Sequence, residues 1–156
     1  MGTLLALVLG FFFVEAAGYF FHRLLHTKWT GSLHRAHMTH HVKLYPPEDY
    51  LSDKYRPAGA DNTTYRFLVA GVVIAALFFW LTPLWLAIPV AFDLAAFGWL
   101  NSYVHDSTHI RGHWLERFKL YQKWRAIHYL HHVDMGKNFG IVTFLADRVM
   151  KTYRKA

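Results

Sequence analysis

Apolar blocks alternate along this chain with blocks that are basic and rich in histidine. Leu4 to Phe21 is an apolar stretch of about 18 residues interrupted by Glu15 and small side chains, close to the roughly 20 residues a helix needs to cross a bilayer. A second apolar block, Phe67 to Leu100, is broken in its middle by Thr82 and Pro83. Its halves, Phe67–Leu81 and Leu84–Leu100, predict a helical hairpin with Tyr65, Trp99 and Tyr103 near the headgroups; its arms are slightly short for a crossing, which leaves a shallow re-entrant hairpin as the alternative. Between the blocks, Leu44 to Thr64 carries Pro46, Pro47, Pro57 and Gly59 and predicts an ordered loop capping a site. Trp114 to His132 places Trp114, Phe118, Tyr121, Arg125 and His128 at helical spacing, with Arg117, Lys119 and Lys123 around the rest. That pattern predicts an amphipathic helix at the membrane surface. The expected fold is all-α: one domain over residues 1–156, an integral membrane bundle of about three to four membrane helices with a cytosolic helical cap.

Composition supports the membrane class, since 54% of the residues are hydrophobic and 18% aromatic. The net charge of +7 comes from basic residues set between apolar runs, which favours anionic lipid or an acidic protein partner over nucleic acid. All 17 Lys and Arg fall within His22–Arg66 and His105–Ala156, none in Met1–Thr3 or the Thr82–Pro83 turn. The positive-inside rule then expects both basic segments in the cytosol, with the N-terminus and hairpin tip outside. A cleavable signal peptide fits poorly, because no positive region precedes the first apolar stretch. With no cysteine, a metal would be held by nitrogen and oxygen alone.

Ten of the twelve histidines fall into four motifs. They are His22 and His26; His37, His40 and His41; His105 and His109; and His128, His131 and His132. A pair followed by an H-x-x-H-H triple thus occurs once in each half. Residues i, i+3 and i+4 share a helix face, so each motif is expected to present its rings together. Ten imidazoles suffice for two metal ions with about five each, and imidazole suits iron, copper, zinc or nickel. A single histidine is more often a cap or a core residue; four motifs on one side of a membrane are not so easily explained that way. His34 and His113 can share faces with these motifs but stand outside the repeated pattern.

Glu15, Tyr19 and His22 can lie on one face of the first helix. A carboxylate at that depth either orients an imidazole, lines a substrate path or pairs within the bundle. Asp93 poses the same question, and Ala95, Gly98 and Ser102 make a strip of small side chains leading toward His105. Such a strip allows close helix packing or room for a slim apolar substrate.

The motifs HRLLH at 22–26, HMTHH at 37–41, HDSTH at 105–109 and HYLHH at 128–132, with NFGIVTFLADRVMKTYR at 138–154, resemble the fatty acid hydroxylase superfamily. This membrane di-iron group includes sterol and sphingolipid hydroxylases. The resemblance implies that the ten motif histidines hold two Fe ions, with zinc able to fill the same sites in purified protein. It also implies O2 as co-substrate, a lipid substrate (a fatty acyl chain first) and hydroxylation or desaturation of an aliphatic C–H bond. Electrons would come from a separate ferredoxin, or from a cytochrome with its reductase. The chain is similar as well to bacterial carotenoid ring hydroxylases, whose first motif has four residues between its histidines where this one has three. A metal transporter would need ligands along a crossing path, and a zinc hydrolase would need an open water position with a base such as Asp106 or Asp134.

Overall fold

The computed structural model describes residues 2–56 and 63–156. Among these, there are six α-helices and no strand forms. The first helix, α1, is Gly2–Leu25, built from Leu, Ala, Phe and Val without a proline. It ends where polar side chains take up its last carbonyls: Thr27 and Thr30 hydroxyls donate to Leu24 O, and His34 Nδ1 donates to Leu25 O at 3.0 Å. Gly31, at φ +63, then reverses the chain in a conformation glycine adopts freely. The second helix, α2 (Ser32–Thr39), continues into a single π-type turn over His40–Leu44. Helix α3 covers Thr63–Leu81 and α4 covers Leu84–Thr108, so the hairpin arms extend beyond their apolar parts and α4 carries His105 in its last turn. Helices α5 (Lys119–Val133) and α6 (Leu145–Val149) complete the set.

Helix α1 packs chiefly on α4, and α3 packs on α4. Phe11 meets Phe97 edge-on at 4.7 Å, and Phe13 meets Phe78 at 5.3 Å. At Gly10 a Cβ would collide with the Asp93 carboxylate, so the missing side chain admits the close approach of the two helices. Both α1 and α4 are long and apolar enough to cross a membrane, while the apolar part of α3, Leu68–Leu81, is shorter. Only 22% of the most apolar window of each long helix is buried, unlike the core helix of a soluble protein. Leu5, Leu9 and Phe12 on α1 and Trp85, Ile88 and Phe92 on α4 face outward, as a lipid solvent requires.

The stretch expected to be one amphipathic helix from Trp114 is two elements. Residues Trp114–Arg117 make a 3-10 turn closed by a capping box, with His113 Nδ1 accepting from Leu115 N and Glu116 Oε1 accepting from His113 N. Phe118 is extended, and α5 begins after it. Arg125 then ties α5 to the end of α4 through the Thr108 and Ile110 carbonyls and Glu116. Tyr45 and Tyr50, from the expected capping loop, lie buried. Pro57, Gly59 and the rest of 57–62 lie outside the described residues, as does the Tyr65 side chain.

Candidate metal centre

All ten motif histidines converge at the C-terminal ends of α1 and α4. Eight of them are nearly inaccessible, with His26 and His105 less so. Their ligand nitrogens form two groups, each with all its atoms within 4.8 Å: His22, His26, His37, His41 and His131, and His40, His105, His109 and His128. His132 stands between them, its ring 4.2 Å from that of His41 and 4.8 Å from that of His109.

Each pair serves one group, but each triple divides, contrary to the expectation that a motif presents its rings together. Successive residues on a helix are about 100° apart, so i+3 and i+4 fall on opposite sides of i and diverge by that angle. His131 accordingly joins the first group and His128 the second, while His132 lies between. In the HMTHH motif, His37 and His41 join the first group and His40 the second. The π-type turn begins at His40, the kind of insertion that re-aims side chains at functional sites.

The nitrogen spacings fit a metal. His37 Nε2 lies 3.1 Å from His22 Nε2, 2.9 Å from His26 Nε2 and 3.0 Å from His41 Nε2; His128 and His109 Nε2 are 3.2 Å apart. Adjacent ligands on an ion with metal–nitrogen bonds of about 2.1 Å sit about 3.0 Å apart. These contacts cannot all be hydrogen bonds. His22 Nδ1 is 2.6 Å from the Phe139 carbonyl, which only accepts, so the ring's proton is on Nδ1 and Nε2 offers a lone pair. One proton on His37 Nε2 cannot serve three neighbours. Among the described residues the Nε2 atoms of His40, His131 and His132 are buried with no hydrogen-bond partner, a costly state that a bound cation relieves.

Four other rings are held like His22. His131 Nδ1 donates to Lys137 O at 2.6 Å, His132 Nδ1 to Tyr45 O at 2.8 Å and His109 Nδ1 to Tyr50 O at 3.3 Å, while His105 Nδ1 meets Asp106 Oδ1 at 3.0 Å. Fixing Nδ1 points Nε2 inward, the outer support that metal-binding histidines need. Tyr45 also stacks on His109 at 4.0 Å. Burial, followed by repulsion among neighbouring imidazoles, holds His37, His40, His41 and His128 well below the ordinary imidazole range. Burial pushes His26 down to about 2, aided by His22, and His132 down to about 3 against the opposing pull of the Tyr45 carbonyl. These six rings are therefore neutral at physiological pH, as ligands must be.

The last twenty residues build much of this support. Asp147 is fully buried and accepts from Phe139 N (2.9 Å), Gly140 N (2.7 Å) and Thr152 Oγ1 (2.7 Å). Asn138, at φ +56, accepts from Arg154 N at 2.7 Å and donates to the Arg154 carbonyl at 3.0 Å. Together they set the Lys137 and Phe139 carbonyls against His131 and His22. Glu15 accepts from Thr143 Oγ1 at 2.9 Å and Ala146 N at 3.0 Å, and Tyr19 packs on Phe139. The face of α1 bearing Glu15, Tyr19 and His22 is thus the seat of the C-terminal segment, and Glu15 orients an imidazole only through it. Asp93 is about 18 Å along α4 from His105 and takes no part. Asp134 pairs with Arg154, and His34 and His113 serve as caps. The supporting roles of Tyr45, Tyr50, Asn138, Phe139 and Asp147 were not evident from spacing, because they act through backbone atoms or across more than 100 residues; the NFG…D run in the tail was the one available signal.

No curated protein and no solved structure gives a match. Residues 7–152 match the family model described as fatty acid hydroxylase. That span runs from the lipid-facing part of α1 to Thr152 of the C-terminal latch and takes in every clustered histidine, and the chain belongs to the fatty acid hydroxylase family.

Proposed function

We propose that the protein is a membrane-bound non-haem di-iron oxygenase that hydroxylates, or desaturates, an aliphatic C–H bond of a lipid, a fatty acyl chain first. The observation that carries this reading is the convergence of ten imidazoles at the ends of apolar helices, nine of them in two adjacent nitrogen-only groups with His132 between. Two irons held there would supply the redox chemistry that lets O2 and external electrons oxidise an unactivated C–H bond. His22, His26, His37, His41 and His131 would hold one ion and His40, His105, His109 and His128 the other, with His132 able to serve either. The Tyr45 and Tyr50 rings, packed on His109 and His132, keep water from that side of the centre.

A lipid chain reaches the centre from the bilayer. The small-residue strip supports a route: Ala95 and Gly98 are exposed on α4, nothing lies within 4 Å of a Cβ built at Gly98, and the same face leads to His105. The charge map puts the histidine side in the cytosol and the N-terminus outside in a multi-pass arrangement. Electrons arrive there from a separate acidic ferredoxin or cytochrome attracted to the basic face. A zinc hydrolase is disfavoured because Asp106 is engaged by His105 Nδ1 and Asp134 by Arg154.

The test is expression of the full chain with a reductase in a host of defined lipid content, under 18O2, with lipid mass spectrometry and iron analysis. We expect about two irons per chain and 18O-labelled or newly unsaturated lipids, both abolished by His40→Ala. Oxygen-independent product, or iron-loaded protein with no oxidised lipid across acyl and carotenoid hosts, would overturn the proposal.

A further inference from the structure

A cleft of about 230 Å³ opens between α5 and the segment leading into α6, and none of the ten motif histidines lines it. Lys123 and Arg148 supply two cations, and Leu120, Phe144 and Leu145 supply apolar walls. Among the described residues no carboxylate pairs with either cation. The Arg148 guanidinium lies 4.0 Å over the Tyr153 ring, which fixes its plane and leaves its N–H edges free for an acceptor. The one carboxylate adjacent in sequence, Asp147, is consumed by Phe139 N, Gly140 N and Thr152.

Depth identifies the ligand. Thr143, also on the cleft wall, donates to Glu15, which is seven residues and about 10 Å up α1 from His22. One end of the cleft is therefore level with the membrane-crossing part of α1. Leu120 and Leu145 on its wall and nearby Val149 are exposed, and α6 itself packs on α1. Cations above an apolar wall at that level match a phosphodiester above acyl chains. We propose that this cleft seats the headgroup of an anionic phospholipid, with its phosphate on Lys123 and Arg148 and its chains along Leu120 and Leu145. The proposal rests on the chain lying in a bilayer and is independent of the metal chemistry.

The test uses the full chain in neutral detergent, co-titrated with phosphatidylglycerol and phosphatidylcholine and read by native mass spectrometry. Two cations at a membrane surface predict retention of the anionic lipid about 10- to 30-fold over the zwitterionic one. The preference should vanish in Lys123→Gln/Arg148→Gln and persist in Lys123→Arg/Arg148→Lys, which keeps the charge. Excess inorganic phosphate should leave the bound lipid in place. Equal retention of both lipids by the unmodified chain, a preference that survives the glutamine pair or is lost in the charge-conserving pair, or displacement by phosphate would overturn the assignment. Metal content measured in the same samples separates such a failure from one of the oxygenase reading.

Discussion

Asp147→Asn tests whether the C-terminal segment governs one metal site and not the other. In the native chain Oδ1 accepts from Phe139 N and Thr152 Oγ1, and Oδ2 accepts from Gly140 N at 2.7 Å. The amide can keep one oxygen, but its NH2 must then face a backbone N–H, so at least one buried donor loses its acceptor. Bonds to an ionised group contribute about 1.5–3 kcal/mol, so a destabilisation of about 2 kcal/mol is expected. The larger consequence is local. Phe139 carries the carbonyl that holds His22 Nδ1 at 2.6 Å, and loss of such an outer partner costs about 10–100-fold in metal affinity, or roughly 1.4–2.7 kcal/mol. The second group is supported by Tyr50 O and Asp106 instead, which Asp147 does not touch. Titration of iron- or zinc-loaded protein with a chromophoric chelator should show one ion released 10–100-fold more readily and the other released as before. Thermal melting reports the fold in parallel. Equal weakening of both ions, or two unweakened ions in a folded variant, would refute the path from Asp147 through Phe139 to His22.

Three further outcomes follow from the geometry. Metal-free protein should lose stability as pH falls through about 6.5 toward 3: the buried rings resist protonation, the unfolded chain takes up protons from its ordinary imidazole value downward, and so stability rises with pH across that window. Urea melts at pH 7.5, 6 and 5 check this; a flat profile contradicts it. Gly98→Phe should fold and load metal normally, since open space surrounds that position, yet cut lipid oxidation at least tenfold in the expression assay by blocking the strip. His34→Ala and His113→Ala should keep full metal stoichiometry and lose only about 1 kcal/mol each in denaturant melts, as for a lost helix cap; loss of an ion in either would make it a ligand.

Much of this site was legible before any coordinates. The four histidine motifs, the apolar runs and the resemblance of the tail led to a helical membrane chain with its rings gathered at the helix ends. What spacing concealed was the division of each triple, because i+3 and i+4 straddle i and the partner helix decides which side each ring serves. The role of Glu15 was hidden for a different reason: its partners, Thr143 and Ala146, lie about 130 residues away, and no local pattern links them. The continuous helix expected from Trp114 failed at Phe118, whose extended backbone ends the short turn that the His113–Glu116 cap begins, before α5 can start.

The division of the triples also sets an order of events during synthesis. With α5 still within the ribosome, the first group would have His22, His26, His37 and His41, and the second His40, His105 and His109. Each then lacks one ring, and the carbonyls that aim His22 and His131 come later still, from Lys137 and Phe139. Neither half of the chain can therefore mature its own ion. Metal loading at these groups would therefore follow docking of α5 and the tail, so a cell starved of the metal would accumulate a finished and empty polypeptide rather than a half-loaded one.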